Sequence, residues 1–178
     1  DHPESAALLG DAAAAAVLGP TPPGEAARLH AARFATFGAG AELTQIRGGG
    51  SGRHPNHPDT RPRDNLFEMN GLQVLKLTRQ RAAPFLQCLR PGLSRGLPGV
   101  GWVVPHQASK MGMELMRAYG WPEERTLTTL ARYGNCVAAS VPLTLHDAVR
   151  AGTVRRGDTL LLVGTGAGLS LGGLILTY

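Results

Sequence analysis

The sequence is poor in aromatic residues: 5% of its 178 positions are Phe, Trp or Tyr. A stacking surface for bases or planar ligands therefore finds little support. The net charge of +5 is modest, and its arginines are scattered. No basic block alternates with aromatics, so neither composition nor pattern points to nucleic acid. Two cysteines, Cys88 and Cys136, give no disulfide framework. There is no CxxC and no tight His/Cys/Asp cluster. His54 and His57, in "GRHPNHPD", stand between prolines without an evident third ligand, so no metal is expected. No uninterrupted apolar run is long enough for a membrane span, and no basic region, apolar run and cleavage site follow one another at the start.

Glycine is plentiful, at 24 residues, and 43% of the chain is hydrophobic. That composition suits close-packed small-residue layers with tight turns, in one core of moderate size. Apolar "AALLGDAAAAAVLG", residues 6–19, reads as a buried strand after a turn at Gly10-Asp11. "TPPGE" breaks the chain. Leu29, Ala31, Arg33, Ala35 and Phe37 alternate as in a strand, although the Ala and Arg content also suits a helix. "RGGGSGRHPNHPDTRPRDN" reads as a long irregular loop. Leu72, Leu75 and Leu86, widened by Val74, outline a helical stripe, with Pro84 marking a kink or the first turn of a second helix. Cys88 reads as a small buried hydrophobe.

Further on, "VGWVVPHQ" reads as a short strand ended by Pro105, and "ASKMGMELMRAYG" as a helix stopped by Gly120 and Pro122. "TLTTLARYGN" reads as an extended stretch and turn. "CVAASVPLTLHDAVRAG" has Val141, Leu145 and Val149 at helical spacing, with Pro142 tolerable only in a first turn. The final "TLLLVGTGAGLSLGGLILTY" makes two apolar strands around a glycine bend. No helix separates them, so they should be antiparallel. The βα alternation predicts α/β layers.

"GTGAG", Gly164 to Gly168, lacks the spacing of a dinucleotide loop. It offers either a plain turn or backbone N–H groups for a reacting oxygen. His106 follows a strand and a proline. Asn135 lies between Gly134 and the next helix, where a helix cap is its ordinary role. Strand ends of this kind converge on one face of an α/β sheet, which places His106, Asn135 and the glycine bend together.

"VVPHQAS", "YGNCVAASVPLTL" and "RGDTLLLVGTGAGLSLGGLILTY" resemble the C-terminal part of ketoacyl synthases of the ketoacyl-ACP synthase III type. "LLGDAAAAAVLG", "GGGSGRHPNHPD" and "FEMNGLQVLKLTRQ" resemble earlier segments of the same family. The resemblance implies a thiolase-like α/β fold, the later portion of a five-layer α-β-α-β-α architecture. It divides the chain into residues 1–65, the end of a first thiolase-like half with its connecting loop, and residues 66–178, the complete second half. It also implies condensation of acyl thioesters, with acyl-CoA or acyl-ACP as substrates and no cofactor. Acyl transfer without decarboxylation, or a silent structural partner subunit, are the alternatives.

In that resemblance His106 and Asn135 match the family's catalytic histidine and asparagine, which hydrogen-bond the thioester carbonyl of the second substrate. Gly166 is the expected backbone donor of the oxyanion hole. The reactive cysteine belongs to an upstream element, expected in a missing first half or a companion chain; neither Cys88 nor Cys136 replaces it. Lys76, Ser109 and Lys110 are the expected substrate or carrier contacts. Ser109 departs from the family's usual Asn, and Met111 from its usual Arg. A thiolase-fold dimer, an acyl carrier protein as possible partner and a cytoplasmic location complete the expectation.

Overall fold

A computed structural model describes residues 7–178. Its main sheet has four strands: β1 (Arg28–Gly40), β4 (Trp102–Pro105), β5 (Thr159–Gly166) and β6 (Gly168–Thr177), in the order β1-β6-β5-β4. Short β2 (Thr44–Ile46) and β3 (Phe67–Met69) pair separately and clasp the base of the long loop. The helices are α1 (Gly71–Leu89), α2 (Lys110–Arg117), the single turn α3 (Leu130–Tyr133) and α4 (Ser140–Arg150).

The last two strands are antiparallel, as their direct connection requires, with Ala167 alone between them. β4 and β5 are parallel, and the crossover between them carries α2, α3 and α4. β6 alternates through its whole length. Leu169, Leu171 and Ile175 face the core under α1, together with Phe85, Leu86, Leu89, Val103 and Leu161. Leu160 faces the other way, with Ala148 and Val154, and Leu162 and Leu176 pack beside them. A sheet buried on both faces explains why the terminal strands read as nearly continuous apolar runs. Each such leucine contributes roughly 1.5–3 kcal/mol on burial. Gly173 lets α1 approach: a Cβ there would lie 2.6 Å from Leu89 Cδ2.

Several expectations change. Of the segment read as a buried strand, Ala6 lies outside the described residues; Leu9 forms one isolated bridge with Asn135, and no strand follows. Val17 and Leu18 are 99% and 93% exposed. Extended backbone becomes a strand only beside a neighbour that completes its ladder, and among the described residues none lies alongside. α1 runs unbroken through Pro84 instead of splitting. Leu72 stands 78% exposed at its start, so the buried stripe begins later, around Phe85, Leu86 and Leu89. Cys88 is exposed, not buried, because its turn of α1 faces away from the sheet. Within "TLTTLARYGN", residues Leu130–Tyr133 are helical rather than extended, closed by Gly134 at φ 71°.

The long loop is irregular as expected, yet organised around Asp64. This carboxylate, 5% exposed, accepts the Arg61 N–H at 2.9 Å and lies 3.4 Å from Arg53 Nη1. The Arg61 hydrogen bond, helped by the arginine charges, holds its pKa below the usual carboxylate value.

Candidate functional site

The site begins where β4 ends. Pro105 has no N–H to give, but His106 continues the pairing: its backbone N–H donates to the Val163 carbonyl of β5 at 2.7 Å. The next β5 residue is Gly164, and a Cβ there would lie 3.0 Å from His106 Cβ. Glycine is thus what lets His106 sit against the sheet end, a role the sequence reading did not assign to Gly164.

Gln107 turns inward. It is 1% exposed, and both ends of its amide are hydrogen-bonded. Nε2 donates to Thr144 Oγ1 at 2.7 Å, while Oε1 accepts from Thr128 Oγ1 at 2.9 Å and Thr129 N at 2.8 Å. Thr129 and Thr144 hydroxyls close the set at 2.7 Å. This buried network ties the His106 turn to α4 and to the strand-like approach of α3. Sequence reasoning missed it; Gln and Thr in three separate segments give no local signal. Ser109 then caps α2, its Oγ accepting Gly112 N–H at 3.1 Å.

Asn135 arrives from the other side, after α3. Its Nδ2 donates to the Ala108 carbonyl at 3.3 Å, and its Oδ1 accepts Val137 N–H at 2.9 Å. Its backbone is pinned to Leu8 and Gly10, through Asn135 N to Leu8 O at 2.7 Å and Gly10 N to Asn135 O at 3.0 Å. The Val137 backbone lies beside the His106 ring, where it favours the protonated imidazole. Asn135, through Ala108 and Val137, thus comes to the same sheet end as His106.

Burial pushes the His106 pKa below its ordinary value, and the neighbouring Val137 backbone only partly offsets this. The imidazole is neutral at neutral pH and carries one N–H. Asn135 keeps one N–H beyond the bond to Ala108.

Gly166 is exposed at the end of β5; a Cβ there would meet only Ser170 Cβ, at 4.0 Å. With Gly164, Thr36 and Ser170 it lines a cleft of about 450 Å³ on the β1-β6-β5 face. Lys110 opens α2 directly after Ser109 and lines a second groove, of about 410 Å³, with Met113, Trp121 and Leu130. Lys76 is exposed on α1 and makes none of the contacts that join His106 to Asn135. Cys136, beside Asn135, is 5% exposed, with Sγ 3.4 Å from the Tyr133 carbonyl. Among the described residues no group of three His, Cys, Asp or Glu side chains is arranged to hold a metal.

Residues 97–178 match the family described as 3-oxoacyl-[acyl-carrier-protein] synthase III C terminal. The chain is 35% identical over 175 residues to beta-ketoacyl-[acyl-carrier-protein] synthase III 3 of Streptomyces coelicolor, covering 96% of this chain and 51% of that protein. It is 33% identical over 177 residues to the synthase III of Geobacillus kaustophilus, covering 98% and 50%. Among solved structures, the synthase III of Thermus thermophilus aligns with a TM-score of 0.71 at 32% identity, over 90% of this chain and 49% of that one. The Pseudomonas aeruginosa enzyme aligns with a TM-score of 0.71 at 26% identity, over 90% and 47%. The chain spans about half the length of the curated relatives it matches. Residues 97–178 thus belong to the 3-oxoacyl-[acyl-carrier-protein] synthase III C-terminal family, and the chain as a whole is similar to the later half of synthase III proteins, with a thiolase-like α/β fold.

Proposed function

We propose that this chain supplies the His–Asn part of a site that condenses acyl thioesters, and that the acyl-accepting cysteine comes from a further part of the protein or a companion chain. The observation that carries the reading is the pairing of His106 and Asn135 at the sheet end, each with one polar group left free. The thioester carbonyl of the second substrate sits between them. When carbon dioxide leaves a malonyl thioester, the electron pair of the breaking C–C bond forms an enolate whose negative charge rests on that oxygen. The remaining Asn135 N–H stabilises this charge, as does the single N–H of the neutral His106 ring. The enolate carbon then attacks the acyl-cysteine carbonyl, and the cysteine sulfur leaves.

Backbone N–H groups at the Gly166 bend serve the oxygen of the acyl-enzyme intermediate. A cysteine from elsewhere fits the state of the two present: Cys136 is buried against Tyr133, and Cys88 lies on α1. Lys110, Ser109 and Lys76 are the proposed contacts for the thioester's carrier. Coenzyme A and acyl carrier protein both present the same phosphopantetheine thioester.

The test is denaturing intact-mass spectrometry of the sample after incubation with a short acyl-CoA. One acyl adduct on a polypeptide other than this 18.7 kDa chain is expected. Condensation with a malonyl thioester should then fall at least about 100-fold in His106→Ala and Asn135→Ala, while acyl capture by the companion persists. An adduct on Cys88 or Cys136 would move the nucleophile into this chain. No adduct on any polypeptide would favour a structural subunit.

A further inference from the structure

Among the described residues, Val137 is the one non-glycine residue with positive φ, at 49°. A β-branched side chain crowds its own backbone in this left-handed region, so the surroundings must hold it there. Side-chain packing does not: Val137 is 60% exposed. Hydrogen bonds do. Its N–H donates to Asn135 Oδ1 at 2.9 Å, and its carbonyl accepts the Ser140 N–H as α4 begins.

We propose that Val137 is a positioning residue: its left-handed backbone turns the amide to the Asn135 carboxamide and so fixes that side chain at the sheet end that His106 shares. Its meaning for catalysis rests on the function proposed above, but the geometry does not. An exposed valine that packs against little, yet sits in an unfavourable conformation, is explained by what its main chain holds. The side chain is free to change while the backbone is not.

The experiment is a double-mutant cycle on the 178-residue chain, read by thermal melting and by NMR of the His106 ring and the Asn135 side-chain amide. Val137→Asn tolerates the left-handed region and leaves the backbone donor in place. It should raise Tm by roughly 2–4 °C, the equivalent of about one unit of relieved backbone strain. The His106 and Asn135 signals should stay where they are in the parent chain. In an Asn135→Ala background the Val137 backbone is free to relax, and the same change should give no rise. Val137→Pro, which has no N–H and cannot adopt φ 49°, should shift the Asn135 signal while resonances of β5 and β6 stay put.

Equal rises in both backgrounds would overturn the proposal. So would an unshifted Asn135 signal in a folded Val137→Pro chain. Should that variant not fold, the cycle decides alone. Acyl capture and condensation are separate measurements, so a chain without activity but with the expected coupling would refute the functional reading and leave Val137 in its positioning role.

Discussion

His106 is held neutral by burial, and this has a consequence for stability. The unfolded chain takes up the imidazole proton near the ordinary value of 6.5, while the folded chain does so at lower pH. Between those two points the unfolded state binds more protons, so stability rises with pH across that window. Equivalently, it is lost as pH falls from about 6.5 toward the folded-state value. His106→Gln keeps a polar side chain of similar reach without titrating near neutrality. Urea melts from about pH 5 to 7.5 should show a shallower fall in stability on acidification for His106→Gln than for the parent chain. Identical slopes would mean that His106 titrates alike in both states, against the burial argument. Gly164 belongs to the same setting, since a side chain there would press on His106 Cβ.

At the scale of elements, Gln107 joins three segments that are distant in sequence: the end of β4, the residues before α3, and α4. Gln107→Leu keeps the bulk but removes the amide. It strands the Thr129 N–H and removes the acceptor of the Thr128 hydroxyl, while Thr144 keeps its contact with Thr129. Buried unpaired groups cost about 1–3 kcal/mol each, so the loss in denaturant melts should be roughly 2–4 kcal/mol. Gln107→Glu should be costly as well, because it buries a charge where Thr144 can offer only a hydroxyl. A loss below about 0.5 kcal/mol for Gln107→Leu would mean that the network is not maintained in solution. This element shows where the sequence was legible and where it was not. Leu160 to Leu176 announced a strand pair because alternation and a glycine bend are local patterns. His106 and Asn135 were legible through family motifs; His106 does follow a strand, whereas Asn135 follows the single turn α3. Gln107 and Gly164 were not legible, because their roles depend on which segments meet. Ala12–Gly19 misled for the same reason: an apolar run states a wish for burial without naming the surface that provides it.

The whole molecule carries that unresolved demand in a definite place. Val17, Leu18, Leu29 and Phe34 are all exposed, and they occupy the segment before β1 and β1 itself, the outer strand of the main sheet. The cleft beside Gly166 includes Phe34 and Thr36 from the same strand. Strand edges and apolar faces of this size favour association. If the proposed cysteine-bearing part completes the site, it must approach the glycine bend, and β1 lies on that side of the sheet through its pairing with β6. Hydrogen exchange followed by mass spectrometry tests this directly. In the chain alone, amides of residues 11–24 should exchange within seconds, because that segment has almost no backbone partners. Adding the companion polypeptide, or comparing with a chain that carries it covalently, should slow exchange there and along β1, while α1 and the β5–β6 pair change little. Protection confined to α2 and the groove at Lys110 would place the partner on the opposite side, and the cysteine would then have no path to the Gly166 bend.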